Sequence, residues 1–208
     1  MQNIPPERQR KLRTWTHAKK AYALKGIGKS GEEITLLDLA SNDYLGLSKH
    51  PKLIEAVNKV IALDGVGAGA SRLVTGSRPI HKELERDLAI WLGQESVLLF
   101  PSGFQANLAG VLALADRSTT VIADRLIHHS LLIGVKASGA KLKRFAHNDL
   151  DDLERHLKLC NNKNNQRKSL VLTESLFSME GTSPPLQIMA RLCEKHGAQL
   201  FVDEAHAL

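Results

Sequence analysis

Cysteine is nearly missing from this sequence: Cys160 and Cys193 are the only two in 208 residues. Two cysteines cannot build a disulfide scaffold or a four-thiolate zinc site, and they fit a reducing, cytoplasmic setting. Aromatic residues make up only 4%, which leaves little for a base-stacking surface and argues against a nucleic-acid partner. No apolar run approaches the roughly 20 residues of a membrane span, so no membrane partner is expected. No apolar h-region follows Met1, so no secretory leader is expected either. What is present is ordinary for a folded chain: 43% hydrophobic and 24% charged residues exclude wholesale disorder. The length suits one large domain or two small ones.

The net charge of +6 is unevenly spread. Arg8, Arg10, Lys11, Arg13, Lys19, Lys20, Lys25 and Lys29 face Glu7 alone between positions 7 and 29, an excess of seven. The remainder therefore carries about −1, counted from the same residues. Residues 1–33 read as a basic helical arm. Such an arm is either a solvated face or a contact for a polyanion, for example a nucleotide-bearing substrate or an acidic carrier protein.

Beyond the arm the pattern becomes regular. Ile34–Ala40 reads as a short strand, Pro51 opens a helix to about Leu63, and His81–Gly93 is a second helix. Apolar strand runs follow at Ser96–Phe100, Thr119–Ala123, Lys141–Phe145, Ser169–Thr173 and Gln199–Val202. Helical stretches lie between them at Ala106–Ala115, Ser130–Ser138, Leu150–Leu159 and Leu186–His196. This alternation predicts an α/β domain over 34–208, a mainly parallel sheet with helices on both faces. Asn161–Gln166 reads as a surface loop. The chain stops soon after its last strand, so the domain is expected to be incomplete at its C-terminus.

Three motifs fail on context. GIGKS at 26–30 resembles a P-loop tail, but position 23 is alanine where that motif needs glycine. GVGAG at 65–69 follows a helix, whereas a dinucleotide loop follows a strand. Asp203, Glu204 and His206 lack a second ligand cluster, so no metal site is expected.

The chemistry collects at the strand ends, where open α/β sheets bind ligands. Ser102-Gly103-Phe104 opens a helix, whose N–H groups and dipole suit a phosphate. The next strands lead to Asp124 and His128, to Glu174 and Ser178, and to Asp203 and His206. Each has a bland reading as a cap, a loop histidine or a surface acid. Together they match what a pyridoxal phosphate (PLP) site needs: N–H groups for phosphate, a flat ring for stacking and a carboxylate for the pyridine nitrogen.

The segments SNDYLGLSKHP, GAGASRLVTGSRPIHKELE, FPSGFQAN, ADRLIHHSLLIG, FAHND, TESLFSMEGTSPPL and FVDEAH occur in order between 34 and 208. By these the chain resembles the 8-amino-7-oxononanoate synthases, α-oxoamine synthases of the aspartate-aminotransferase-like fold. GASRLVTGSRPIH and FAHND favour that branch over the serine palmitoyl, glycine acetyl and aminolevulinate relatives. The resemblance implies a homodimeric PLP enzyme of biotin biosynthesis acting on L-alanine and a pimeloyl thioester, carried by CoA or by an acyl carrier protein. It implies that Gly103 and Phe104 contact the cofactor, that His128 stacks on its ring and faces substrate, that Ser178 and His206 hydrogen-bond it, and that Asp203 pairs with its nitrogen. Asn42 and Ser71 would lie near the amino-acid substrate or the dimer mate. Lys25 is nearest to the place of a family arginine, a point charge instead of a fork. The family's Schiff-base lysine is expected beyond Leu208, so the chain alone is expected to be inactive. The alternatives are a non-catalytic member and another α-oxoamine synthase resembling glycine C-acetyltransferase.

Overall fold

The computed structural model describes residues 5, 9, 12–18, 22–160 and 168–208. Arg8, Arg10, Lys11, Lys19 and Lys20 of the basic arm, and the asparagine-rich loop, lie outside the described residues. The chain divides into two compact units, Met1–Gly67 and Ala68–Leu208.

In the first unit the expected helical arm gives way to strands. β1 (Thr16–His17), β2 (Ala23–Ile27) and β3 (Glu33–Leu37) form an antiparallel sheet in the order β1-β2-β3. The reason is glycine. Gly26, Gly28 and Gly31 penalise a helix, and Gly31 takes φ +87° in the turn. The turn closes with the Gly28 N–H on the Glu32 carbonyl at 2.8 Å, so GIGKS is a hairpin and not a phosphate loop. Pairing of β2 with β3 also carries the element across the expected boundary at residue 33. α1 (Pro51–Asp64) follows, with proline in its first turn, as the sequence predicts. Ala23 is the one buried residue among the described positions of this unit.

The second unit holds the core. α2 (Pro79–Leu92) ends at Gly93 in the left-handed region, φ 62°. Then α3 (Gly103–Leu114), β4 (Thr120–Asp124), α4 (His129–Ser138), β5 (Lys141–Phe145), α5 (Leu150–Cys160), β6 (Ser169–Glu174), α6 (Leu186–Lys195) and β7 (Gln199–Asp203) alternate. The four strands are all parallel, in the order β5-β4-β6-β7.

Period-two alternation in the central strands splits the core into two layers. Val121, Ala123, Leu170 and Leu172 pack with Val111, Leu131 and Val135 of α3 and α4. Ile122 and Val171 point the other way, to Leu153, Leu157, Met189 and Cys193 of α5 and α6. Helices thus cover both faces, and β4 is buried along its whole length. Fully burying each of Leu131, Leu153 and Leu157 contributes about 1.5–3 kcal/mol. Lys141, Lys143 and Arg144 mark β5 as a charged edge strand.

Ser96–Phe100 is not a ladder strand. Its backbone is met by side chains instead: Glu85 Oε1 accepts the Leu99 N–H at 2.9 Å, and Arg72 Nη1 donates to the Leu99 carbonyl at 3.3 Å. Arg72 and Glu85 also pair through two bonds, at 2.6 and 3.1 Å. The segment still feeds directly into α3, as the sequence requires.

Candidate active site

The carboxyl ends of β4, β6 and β7 and the amino end of α3 meet at a cavity of about 120 Å³. Gly103, Phe104, Asn107, His128, Glu174, Ser178, Asp203, Ala205 and His206 line it. All six residues expected to hold a cofactor, Gly103, Phe104, His128, Ser178, Asp203 and His206, therefore share one pocket.

Local structure explains each position. Ser102 caps α3, its hydroxyl accepting the Gln105 N–H at 3.3 Å. Gly103 and Phe104 precede the first intrahelical bonds, so their N–H groups sit at the positive end of the helix. A Cβ built on Gly103 meets no atom within 4 Å. His128 caps α4, with its ring Nδ1 accepting the Ser130 N–H at 3.3 Å. Its own backbone N–H donates to Glu174 Oε1 at 2.5 Å. Asp203 ends β7; Oδ1 accepts the Ala205 N–H at 3.0 Å, and Oδ2 lies 2.6 Å from Asn107 Nδ2.

Ser178 rides on a tight turn. The Phe177 N–H reaches the Thr182 carbonyl at 2.9 Å, and the Gly181 N–H the Phe177 carbonyl at 2.8 Å. The FAHND segment pins that turn. His147 spans from the buried Asp124, Nδ1 to Oδ1 at 3.0 Å, to Thr182 Oγ1, 2.7 Å from Nε2. Its ring meets Phe177 edge-on at 4.5 Å. Asp124 Oδ2 accepts the Asn148 N–H at 2.9 Å, and Asn148 takes φ 56°, a conformation asparagine tolerates.

Three lining residues, Asn107, Glu174 and Ala205, are not among the site members that the sequence points to. Asn107 stands one helical turn after Gly103, on the same face of α3; that spacing was the available signal. Glu174 was visible as a strand end, but its burial was not. It is 4% exposed. Burial pushes its carboxyl up to about 7; the His128 N–H opposes the shift, while Asp203, Glu180 and Asp124 add to it.

Of the four residues expected at the substrate, Lys25, Asn42, Ser71 and His128, the last lines this cavity. The cavity is lined wholly by second-unit residues, and Ser71, also in that unit, is not among them. Ser71 Oγ accepts the Leu73 N–H at 3.4 Å. In the first unit Lys25 is paired with Glu33 at 2.5 Å, and Asn42 Oδ1 accepts from the Tyr44 hydroxyl at 3.4 Å.

Residues 34–208 match the family described as aminotransferase class I and II. The chain belongs to that family. It is 44% identical over 181 residues to an 8-amino-7-oxononanoate synthase of Alkalilimnicola ehrlichii, covering 87% of this chain and 45% of that protein. Among solved structures it is similar to a serine palmitoyltransferase from S. paucimobilis with a bound PLP–myriocin aldimine. That likeness has TM-score 0.77 and 30% identity, over 86% of this chain and 45% of the other. An 8-amino-7-oxononanoate synthase from Francisella tularensis aligns with TM-score 0.64 and 29% identity, over 79% and 44%. The chain thus spans under half the length of these relatives. Their fold is the α/β architecture found here. No helix among the described residues is long and apolar enough to cross a membrane.

Proposed function

We propose that the cavity is the PLP site of an α-oxoamine synthase. The proposed reaction condenses L-alanine with a pimeloyl thioester, releasing thiol and carbon dioxide and forming 8-amino-7-oxononanoate for biotin. The observation that carries this reading is the convergence of Gly103, Phe104, His128, Ser178, Asp203 and His206 on one cavity. The donor set fits the group. Gly103 and Phe104 present helix-end N–H groups to a phosphate, Asp203 presents a carboxylate to a ring nitrogen, and His128 supplies a flat ring. The cavity is smaller than the roughly 300–1,000 Å³ of pockets for drug-sized ligands. It suits a small ring and leaves an acyl chain to lie outside.

When bound, PLP supplies an electron sink for charge at the amino acid's α-carbon. Asp203 would keep the ring nitrogen protonated, and the backbone at Gly103 and Phe104 would anchor the phosphate. His128 would orient ring and substrate, and Ser178 and His206 would hold the remaining polar atoms. The 44% identity with an 8-amino-7-oxononanoate synthase supports L-alanine and the pimeloyl chain, while the solved structures of the two enzymes, at 30% and 29% identity, do not separate these substrates from L-serine and a palmitoyl chain. A homodimer is part of the same reading, supported by the exposed Leu53, Ile54, Val57 and Ile61 of α1.

A second reading has one observation behind it. No lysine lines the cavity, so the described residues place no amine there to bond the cofactor, and the chain would then bind PLP without turnover. Titration of PLP into the purified chain, followed by cofactor fluorescence, tests the site. Saturable binding is expected, weakened about tenfold or more by Asp203→Asn, the weight of a hydrogen bond to a charged group. Unsaturable binding, or equal affinity in the variant, would overturn it. Thiol release with L-alanine and pimeloyl-CoA, set against L-serine and palmitoyl-CoA, assigns the substrates; PLP binding with no release from this chain upholds the cofactor site alone.

A further inference from the structure

We infer that Asn107 is a positioning residue that sets the orientation of Asp203 and, through Ser130, the proton location on His128. The argument starts from what each group can donate. Asn107 Nδ2 lies 2.6 Å from Asp203 Oδ2 and 3.0 Å from Ser130 Oγ. A carboxylate only accepts, so the amide must turn its NH₂ toward Asp203, and the reverse orientation would set two acceptors against each other. The second N–H of the same NH₂ then falls on Ser130 Oγ.

Ser130 has one hydroxyl hydrogen. Having accepted from Asn107, its oxygen sends that hydrogen to His128 Nδ1, 2.7 Å away. The Ser130 backbone N–H aims at the same Nδ1. A ring nitrogen facing two donors carries a lone pair, so the neutral imidazole keeps its hydrogen on Nε2. Water does not compete inside this chain: Ser130 is fully buried and Asn107 is 9% exposed.

The chain from carboxylate to amide to hydroxyl to imidazole thus links the two groups expected to work on opposite aspects of the cofactor. It leaves Nε2–H as the one donor of the His128 ring. Its bearing on catalysis rests on the PLP reading of the cavity; the tautomer does not.

The tautomer is read by long-range ¹H–¹⁵N NMR of the imidazole in the 208-residue chain without cofactor. The neutral His128 ring is expected as the Nε2–H form. Both Asn107→Leu and Ser130→Ala should raise the Nδ1–H population roughly fivefold, the weight of about one hydrogen bond. Ser130→Ala keeps the Asn107–Asp203 contact and guards against misfolding of the first variant. A wild-type His128 carrying its hydrogen on Nδ1 overturns the inference whatever the variants do. So does an unchanged tautomer ratio in a folded Ser130→Ala. PLP titration separates the two readings. A tautomer shift in a chain that binds no PLP upholds the relay and sinks the cofactor assignment. A shift accompanied by weaker PLP binding in Asn107→Leu supports both.

Discussion

A single carboxyl group gives the site an energetic cost that pH can expose. Glu174 ionises near 4.5 in an unfolded chain, but burial raises it to about 7 in the fold. Below pH 4.5 both states hold the proton and the group is neutral to folding. Between 4.5 and 7 the unfolded state releases its proton while the folded state keeps it, so stability falls, by about 3 kcal/mol once the pH is well above 7. Glu174→Gln retains an oxygen for the His128 N–H and cannot ionise. Urea midpoints measured across pH 4 to 9 should therefore coincide for wild type and variant near the acid end, with the variant more stable by a few kcal/mol above about pH 8. Parallel profiles would show that Glu174 is not held in an apolar setting. Glu85 and Glu154 work in the opposite sense. Hydrogen bonds from Arg72, and from Lys195 and Lys158, lower them to about 2. Their contribution is complete above pH 4.5 and is lost as the pH falls toward 2, so the two windows do not overlap.

At the scale of elements, the parallel sheet was legible because its strands bury both faces and read as continuous apolar runs such as TVIAD and SLVLTE. The convergence of Gly103, Phe104, His128, Ser178, Asp203 and His206 on one cavity was legible because parallel strands all end on one side. In the described part of residues 1–33 charge dominates the composition, while three glycines decide the backbone and turn it to strands. Ser96–Phe100 has a strand's composition, but Arg72 and Glu85 occupy the carbonyl and the N–H of Leu99, and no local pattern announces that. The role of Asn107 depends on a partner 96 residues away. Glycine also decides how α3 and α4 approach each other. A Cβ on Gly134 would lie 2.8 Å from the Cβ of Val111, which is itself fully buried. Gly134→Ala should gain up to about 1 kcal/mol of helix propensity and lose about 1–3 kcal/mol to overpacking. A net destabilisation in urea is expected. Reducing Val111 to Gly in the same chain removes the opposing Cβ and should make the pair cost less than the sum of the two single changes. Strict additivity would mean that the helices do not meet at that point.

The whole molecule concentrates its stability in one of its two units. The second unit has two packed core layers on either side of β4 and β6. The first has Ala23 as its one buried described residue, and α1 has none. A 14-residue helix with no buried face is marginal, because nucleation is costly and propensity alone barely repays it. Local opening of α1 should therefore need little free energy, while β4 and β6 open only with the global transition. In hydrogen exchange the amides of α1 and β1–β3 should exchange at least about a hundredfold faster than those of β4 and β6. Comparable protection in α1 and β4 at high dilution would show that α1 is held by contacts within the single chain and would overturn this expectation. Concentration tells the two situations apart. If α1 gains protection as protein concentration rises, Leu53, Ile54, Val57 and Ile61 are being covered by a second copy, as the proposed homodimer requires. If its exchange stays fast at every concentration, α1 is not the dimer contact, and the apolar residues of α2, Ile80, Leu84, Ile90 and Trp91, become the face to examine.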